Sequence, residues 1–295
     1  MELSRREEQL TGLATGWRTM TYNWRDCALY ALAVGAGPDE PQYTYEKGMQ
    51  VIPTFGVTPY WGTVNVTPKL PRPTSVPVLV EEALNPTASY VNLDYEFLYH
   101  RPIPAAKGSF VYRDVLTGLF DRGEGRGMAV QSRQEVFDES GVLLCTNRCT
   151  TLFPTLGGYG GTAFVKGKSP IPDRLPDRTL TDRVGPAQHL LYRLTGDTNL
   201  VHVDREVAVS RGLKGPFVHD LCAFGYVCRL AVGALFPGRP EALTRMYAAM
   251  KTVLYPDTPL ELELWDLEEG KAAFRLLNAA DRKVILDRGE IEWKP

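Results

Sequence analysis

The stretch "LTGDTNLVHVD" (Leu194–Asp204) sets an aspartate, an asparagine and a histidine between two apolar runs. Asp197 and His202 are five positions apart. On a helix that spacing is about 140° of rotation, so the two would not share a face. They meet only if the backbone turns between them, and Gly196 with the following "DTN" supplies turn chemistry. A carboxylate and an imidazole brought together in this way can bind and polarise a water, one as general base and the other orienting it. The plainer reading is a helix cap: Asp197 caps the next short helix and Asn199 makes an Asx turn.

A second polar group follows in "GPFVHDLCAFGY" (Gly215–Tyr226), with His219 and Asp220 at the expected start of a long apolar helix. The first N–H groups of a helix have no internal partners and carry the positive end of its dipole. They suit an oxyanion. Acid/base groups beside such a helix start fit chemistry alpha and beta to a carbonyl. The plain alternative makes His219 and Asp220 ordinary first-turn residues.

The whole chain is compatible with this. Its 295 residues allow one large domain or two of about 150. A net charge of −2 gives no electrostatic footprint for nucleic acid or an acidic membrane surface. No apolar run approaches the ~20 residues of a membrane span. The opening "MELSRREEQL" does not resemble a secretory signal, the final "EIEWKP" carries no targeting tripeptide, and the five cysteines are not in CxxC spacing. The expectation is a cytoplasmic protein with reduced thiols, without zinc, nucleic acid or membrane as partner.

The Pro- and charge-rich segment Lys166–Arg183 reads as a linker, dividing the chain into 1–165 and 184–295. The halves match. Each opens with a tyrosine-bearing helical segment, "RDCALYALAVGAG" (Arg25–Gly37) and "PAQHLLYRLTGDTN" (Pro186–Asn199). Each then has a proline-marked apolar segment, "VIPTFGVTPYWG" (Val51–Gly62) and "GPFVHDLCAFGYVCRLAVGALF" (Gly215–Phe236). Each ends in alternating, β-branched runs separated by turn residues, the pattern of antiparallel hairpins. The fold class is therefore α+β, with each repeat an antiparallel sheet wrapped around a central helix: a tandem, or double, hot-dog fold. Cys222 and Cys228 are expected in the core, as are Trp17, Trp24, Tyr60 and Trp61, some of them lining a pocket. His100 and His189 read as structural. "RGEGRGM" (Arg122–Met128) and "LGGYGG" (Leu156–Gly161) read as turns rather than phosphate loops.

"YRLTGDTNLVHVD" (Tyr192–Asp204) resembles the hydratase 2 motif of the MaoC-like (R)-specific enoyl-CoA hydratases, Y-x-L-S-G-D-x-N-P-L-H-x-D. "GPFVHDLCAFGY" resembles their P-I-L-H-G-L-C-T-F-G segment, and "FLYHRPIP" (Phe97–Pro104) and "LGGYGG" resemble first-repeat stretches, so the likeness spans nearly the whole chain. The resemblance implies a catalytic second repeat and a first repeat that holds the acyl tail. It implies reversible hydration of trans-2-enoyl thioesters to (3R)-hydroxyacyl thioesters. Asp197 and His202 would handle the water, with Asn199 supporting them. The amide of residue 220 would bind the thioester oxygen, with Gly196, Val218 and His219 around it. No metal or cofactor is implied beyond the coenzyme A or carrier-protein phosphopantetheine that brings the substrate, and monomer and homodimer both remain open. Two departures stand out: Leu200 replaces the motif's proline, and Asp220 stands where the family has glycine. The aspartate opens a second reading, a pathway-specific dehydratase or isomerase for a cyclic or polyketide-like substrate. A non-catalytic acyl-binding partner is a third.

Overall fold

A computed structural model describes residues 11–61, 90–158, 160–165 and 167–295, with the side chains at 60 and 61 outside the description. In the first repeat, β1 (Arg18–Asn23) leads into α1 (Trp24–Ala33), followed by a 3-10 run Pro53–Trp61 and by β2 (Val91–Tyr99), β3 (Lys107–Asp121), β4 (Met128–Phe137) and β5 (Leu143–Phe153). The second repeat has β6 (Arg178–Arg183), the short helices α2 (Gln188–Arg193) and α3 (Arg205–Ser210), the long helix α4 (Asp220–Leu235), and then β7 (Leu243–Met250), β8 (Pro259–Glu268), β9 (Lys271–Asn278) and β10 (Val284–Trp293).

The ten strands form one sheet in the order β1-β3-β4-β5-β2-β7-β10-β9-β8-β6. From either edge inward the order is the same, first, third, fourth, fifth and second strand of a repeat, so each half is one copy of the same unit. The copies join through antiparallel β2 and β7, from Asp94 opposite Ala249 to Leu98 opposite Arg245. Arg245 reinforces this seam from β7, reaching Glu96 of β2 at 2.6 Å and Glu292 of β10 at 3.1 Å.

The alternating runs expected at the end of each half are strands, four in each, and the alternation is visible in burial, as in β4. Two readings change. The last six residues of the expected linker, Arg178–Arg183, form β6 against β8. Trp17 and Trp24 lie outside the core, 55% and 36% exposed; Trp17 instead packs under Arg113, whose guanidinium stands 4.7 Å above its ring. The expected pocket side chains of Tyr60 and Trp61 fall outside the described residues.

The helix α4 runs through the centre of the second repeat with its residues from Leu221 to Arg229 all buried. In the first repeat the segment packed against strands β2 to β5 is the 3-10 run, which also meets α4. One core spans both repeats. The C-terminal carbonyls of α1, orphaned by helix geometry, are met from the second repeat. Gln188 Nε2 donates to Leu32 and Ala33 at 2.6 and 2.7 Å, and Arg229 Nε donates to the Val34 carbonyl at 3.0 Å. No helix among the described residues is long and apolar enough to cross a membrane.

Gly225 lets α1 and α4 approach closely: a Cβ there would lie 2.4 Å from Val34 Cγ1. Gly225→Val is therefore expected to destabilise the fold by about 1–3 kcal/mol in chemical denaturation. Gly233→Ala, where nothing lies within 4 Å, should be neutral or stabilising by up to ~1 kcal/mol. Equal effects of the two would contradict this packing.

Candidate active site

The loop after α2 is built by short-range hydrogen bonds. Thr195 Oγ1 donates to the Tyr192 carbonyl at 2.7 Å, ending the helix. Gly196 follows at φ 143°, a left-handed backbone that side-chained residues rarely adopt. The Asp197 Oδ1 accepts from the Asn199 amide at 3.0 Å, and the Asn199 side chain accepts from the Val201 amide at 3.3 Å. These bonds fold Leu200–His202 into one 3-10 turn, with Asn199 as its cap. The cap-and-turn reading is thus correct for the backbone, though Asn199 rather than Asp197 is the cap. Leu200 sits half-exposed at the first position of the turn, where proline's fixed φ would fit; its replacement leaves every polar group of the loop in place. Asp204 then caps α3, accepting from the Glu206 and Val207 amides at 2.8 and 3.1 Å.

This turn points His202 at the segment before α4. Its Nδ1 lies 2.9 Å from the Phe217 carbonyl. A carbonyl only accepts, so Nδ1 carries the proton and the neutral ring presents a bare Nε2. Val218 is held by its own amide, which donates to Leu254 at 2.8 Å. His219 follows with its ring stacked on that of His202, centroids 3.6 Å and planes 24° apart. Asp197, His202 and His219 each bring one ligand atom within 4.8 Å of the others, and all three are buried. One water at ordinary hydrogen-bond distance of about 2.8 Å from both Asp197 and His202 fits that span. Beside it, α4 begins without a side-chain cap, and the amides of Asp220 and Leu221 have no partner among the described residues.

Residues 20–154 match the MFE-2 hydratase 2 N-terminal domain and residues 168–284 the MaoC like domain. The chain is 31% identical over 287 residues to 3-hydroxyacyl-thioester dehydratase Y of Mycobacterium tuberculosis, covering 93% of this chain and 94% of that one. The chain belongs to the MaoC-like hydratase 2 family. It is also 31% identical over 266 residues to the peroxisomal enoyl-CoA hydratase 2 of Arabidopsis thaliana, covering 83% of this chain and 82% of that one. In fold it is similar to a MaoC-like dehydratase from Phytophthora capsici, with TM-score 0.84 at 24% identity and 97% of both chains covered. A Mycobacterium tuberculosis protein described as a double hot-dog fold superimposes with TM-score 0.59 at 16% identity, over 96% of both chains.

The hydratase 2 motif thus delivers Asp197 and His202 to one buried corner with His219, and Asp220 follows at the start of α4; Asn199 is exposed and serves the turn as its cap. Two residues expected around the thioester oxygen cannot donate to it. The Val218 amide is engaged by Leu254, and the Gly196 amide by Arg193 at 3.3 Å; both residues shape the backbone instead. His219, 2% exposed, is wedged between Tyr192 and His202. The Phe217 carbonyl, which sets the His202 tautomer, carries no sequence signal because it is main chain. His100 lies exposed just after β2, bonded to Thr146 at 3.0 Å.

Burial dominates the electrostatics. It raises Asp197 from the usual carboxylate range to about 7, and the charge of Asp220 adds to the rise; the Asn199 amide and Arg193 oppose it. Burial lifts half-buried Asp220 to about 6. It lowers His202 to about 4, against the hydrogen bond to Phe217, and it lowers His219 too.

The cluster of Asp197, His202 and His219 has the composition of a metal site. Its geometry does not fit one. An ion must lie near the plane of each ring at about 2.0–2.1 Å from nitrogen. Rings stacked face to face direct their lone pairs side by side rather than at a common point.

Because like charge raises Asp197, Asp220→Asn should lower the Asp197 titration midpoint from about 7, as followed by carboxyl 13C NMR. An unchanged or higher midpoint would show that the two carboxyls do not interact.

Proposed function

We propose that this hydro-lyase of the MaoC-like family adds water reversibly across the double bond of a trans-2-enoyl thioester, giving the (3R)-hydroxyacyl thioester, with Asp197 and His202 handling the water. The observation that carries the reading is the buried cluster of the Asp197 carboxyl with His202, whose Nδ1 is engaged so that Nε2 is bare, beside the uncapped start of α4. The relatives named as an enoyl-CoA hydratase and a 3-hydroxyacyl-thioester dehydratase support the reaction class.

In the hydration direction the thioester oxygen accepts from the Asp220 amide. Water lies between Asp197 and His202, with one of its hydrogens held by Nε2. The Asp197 carboxylate takes the other proton as the water oxygen bonds to C3. The electron pair of the double bond moves onto the thioester oxygen, where the amides at the positive end of α4 stabilise the enolate. Asp197 then returns its proton to C2 and is again a carboxylate. A group that must both take and return a proton works best with its pKa near the operating pH, and burial places Asp197 at about 7. The steps reverse for dehydration. They use no metal and no redox cofactor; coenzyme A or the phosphopantetheine of a carrier protein arrives with the acyl group.

Asp220 favours a second reading within this reaction class, a pathway-specific acyl group such as a cyclic or polyketide-like one. Its carboxyl occupies space beside the thioester that glycine would leave open. A cytoplasmic location is part of the proposal, supported by five buried cysteines that are all free thiols.

The test follows loss of the conjugated thioester absorbance of crotonyl-CoA. Asp197→Asn and His202→Ala should each lower kcat by about 10²–10⁴-fold; near-normal rates in both would remove the assignment. In the wild type, kcat/KM should fall as the pH drops through about 7, because the carboxylate is the working form, and exhaustive chelation should leave it unchanged. Asp220→Gly separates the two substrate readings. Faster turnover of crotonyl-CoA means that the aspartate narrows substrate choice, and no gain removes that role.

A further inference from the structure

His219 is a costly residue for the place it occupies. Its side chain is 2% exposed, where an apolar residue would pack without desolvation cost. Its Nδ1 is buried with no partner. It does not cap α4. Its Nε2 is shared loosely by Asp197, 3.4 Å from the main-chain oxygen and 3.8 Å from Oδ2. What the ring does closely is stack: His202 lies on it at 3.6 Å between centroids, and Tyr192 backs it at 4.9 Å.

The single hydrogen bond from His202 Nδ1 to the Phe217 carbonyl fixes one ring atom and leaves the ring free to rock about that bond. Phe217 closes one side of it, ring centroids 4.4 Å apart at 57°. The flat face of His219 closes another, stops the rocking and excludes water. We propose that His219 is a positioning residue for the reaction: it is the plate that keeps His202 neutral and holds its Nε2 toward Asp197, while its own Nε2–H steadies the Asp197 loop. This rests on the reading of His202 as the acceptor that orients the water.

The charged and titratable groups that act on the pair come from every side: Asp197 on the loop, His189 and Arg193 on α2, Arg211 after α3, and Asp220 beside His219 at the start of α4. Among the causes acting on His202, desolvation is the largest and pushes its pKa down to about 4. Removing the plate admits water to one face and relieves that desolvation. The sign follows: the His202 midpoint rises toward its ordinary value, and the ring begins to take up a proton at mildly acidic pH, which costs the bare Nε2.

The chain has only four histidines, so imidazole resonances can be followed individually by 15N NMR on the full-length protein. His202 in the wild type should stay neutral down to about pH 4. In His219→Ala its midpoint should rise by about one unit or more. The kcat on crotonyl-CoA should fall by about 10–100-fold, with KM nearly unchanged, from misplacement alone. His219→Phe restores a flat face without a donor; there the His202 midpoint should return to the wild-type value and kcat should recover in part. Should His219→Ala not fold, His219→Leu, which fills the space without a flat face, carries the same expectation. An unmoved His202 midpoint in the alanine or leucine variant, or a shift in the phenylalanine variant as large, overturns the proposal. Failure of the wild type to hydrate any enoyl thioester would count instead against the water-handling reading, since the NMR midpoints do not depend on turnover.

Discussion

The antiparallel pairing of β2 with β7 is the constraint on which the rest of the molecule depends. It turns two five-stranded units into one sheet with a core shared by both. The register is fixed by burial. Tyr95 and Phe97 on β2 and Met246 and Ala248 on β7 are fully buried, and a slip of one residue would turn each of them to the opposite face. With the sheet continuous, α4 of the second repeat lies against α1 and the 3-10 run of the first. The candidate site of the second repeat is backed by the first. Tyr192 shows this directly: one side packs on His219 and another faces Tyr30 of the first repeat, with centroids 6.1 Å apart.

The same packing sets the chemistry. Asp197 and His202 are displaced from their ordinary pKa values chiefly by loss of water rather than by an ion-pair partner. Arg229, equally deep in the second repeat, shows the structural alternative. Its guanidinium is met by Asp182, by Glu40 at 2.6 Å and by the Val34 carbonyl at 3.0 Å. A buried charge that only holds the fold is satisfied on all sides, because an unpaired one costs several kcal/mol, about 3–5 when a partner is removed. In the loop, the bond to the Phe217 carbonyl engages only Nδ1 of His202, and the Asp197 carboxyl accepts from the Asn199 amide with no guanidinium bonded to it among the described residues. That incomplete satisfaction distinguishes a site from a strut, and it is where titrating groups near neutrality arise.

Much of this was legible in the sequence, for physical reasons that also mark where legibility stopped. Alternation revealed inner strands that bury one face, such as β3 and β4, and β-branched and apolar runs revealed those buried on both, such as β5. The two edge strands escaped notice because they have a single neighbour: Arg178–Arg183 buries no residue fully, and its charges looked like a linker. Trp17 and Trp24 looked like core because aromatic residues bury large areas, yet a tryptophan stacked under a guanidinium on the surface has the same letter in the sequence. The loop's five-residue spacing and Gly196 required a bend, and the bend is there. The stacking of His202 on His219 could not be read, because it depends on two backbones meeting across the Phe217 carbonyl. The engagement of the Val218 amide by Leu254 was invisible for the same reason.

Asp220 is where sequence and site pull against each other most. At the first turn of α4 a carboxylate is favoured by the helix dipole, but at the thioester oxygen a negative charge would oppose an enolate. Asp197 is part of the same conflict. Both are raised, Asp197 in part by the charge of Asp220, and two neighbouring carboxyls resist being ionised together. Asp220 lies lower, at about 6 against about 7 for Asp197, so Asp220 is the first of the two to ionise and its charge then resists ionisation of Asp197. In the proposed reaction Asp220 therefore acts in two ways: its charge holds the proton on Asp197 to higher pH, and its side chain fills space at the start of α4 that glycine would leave open.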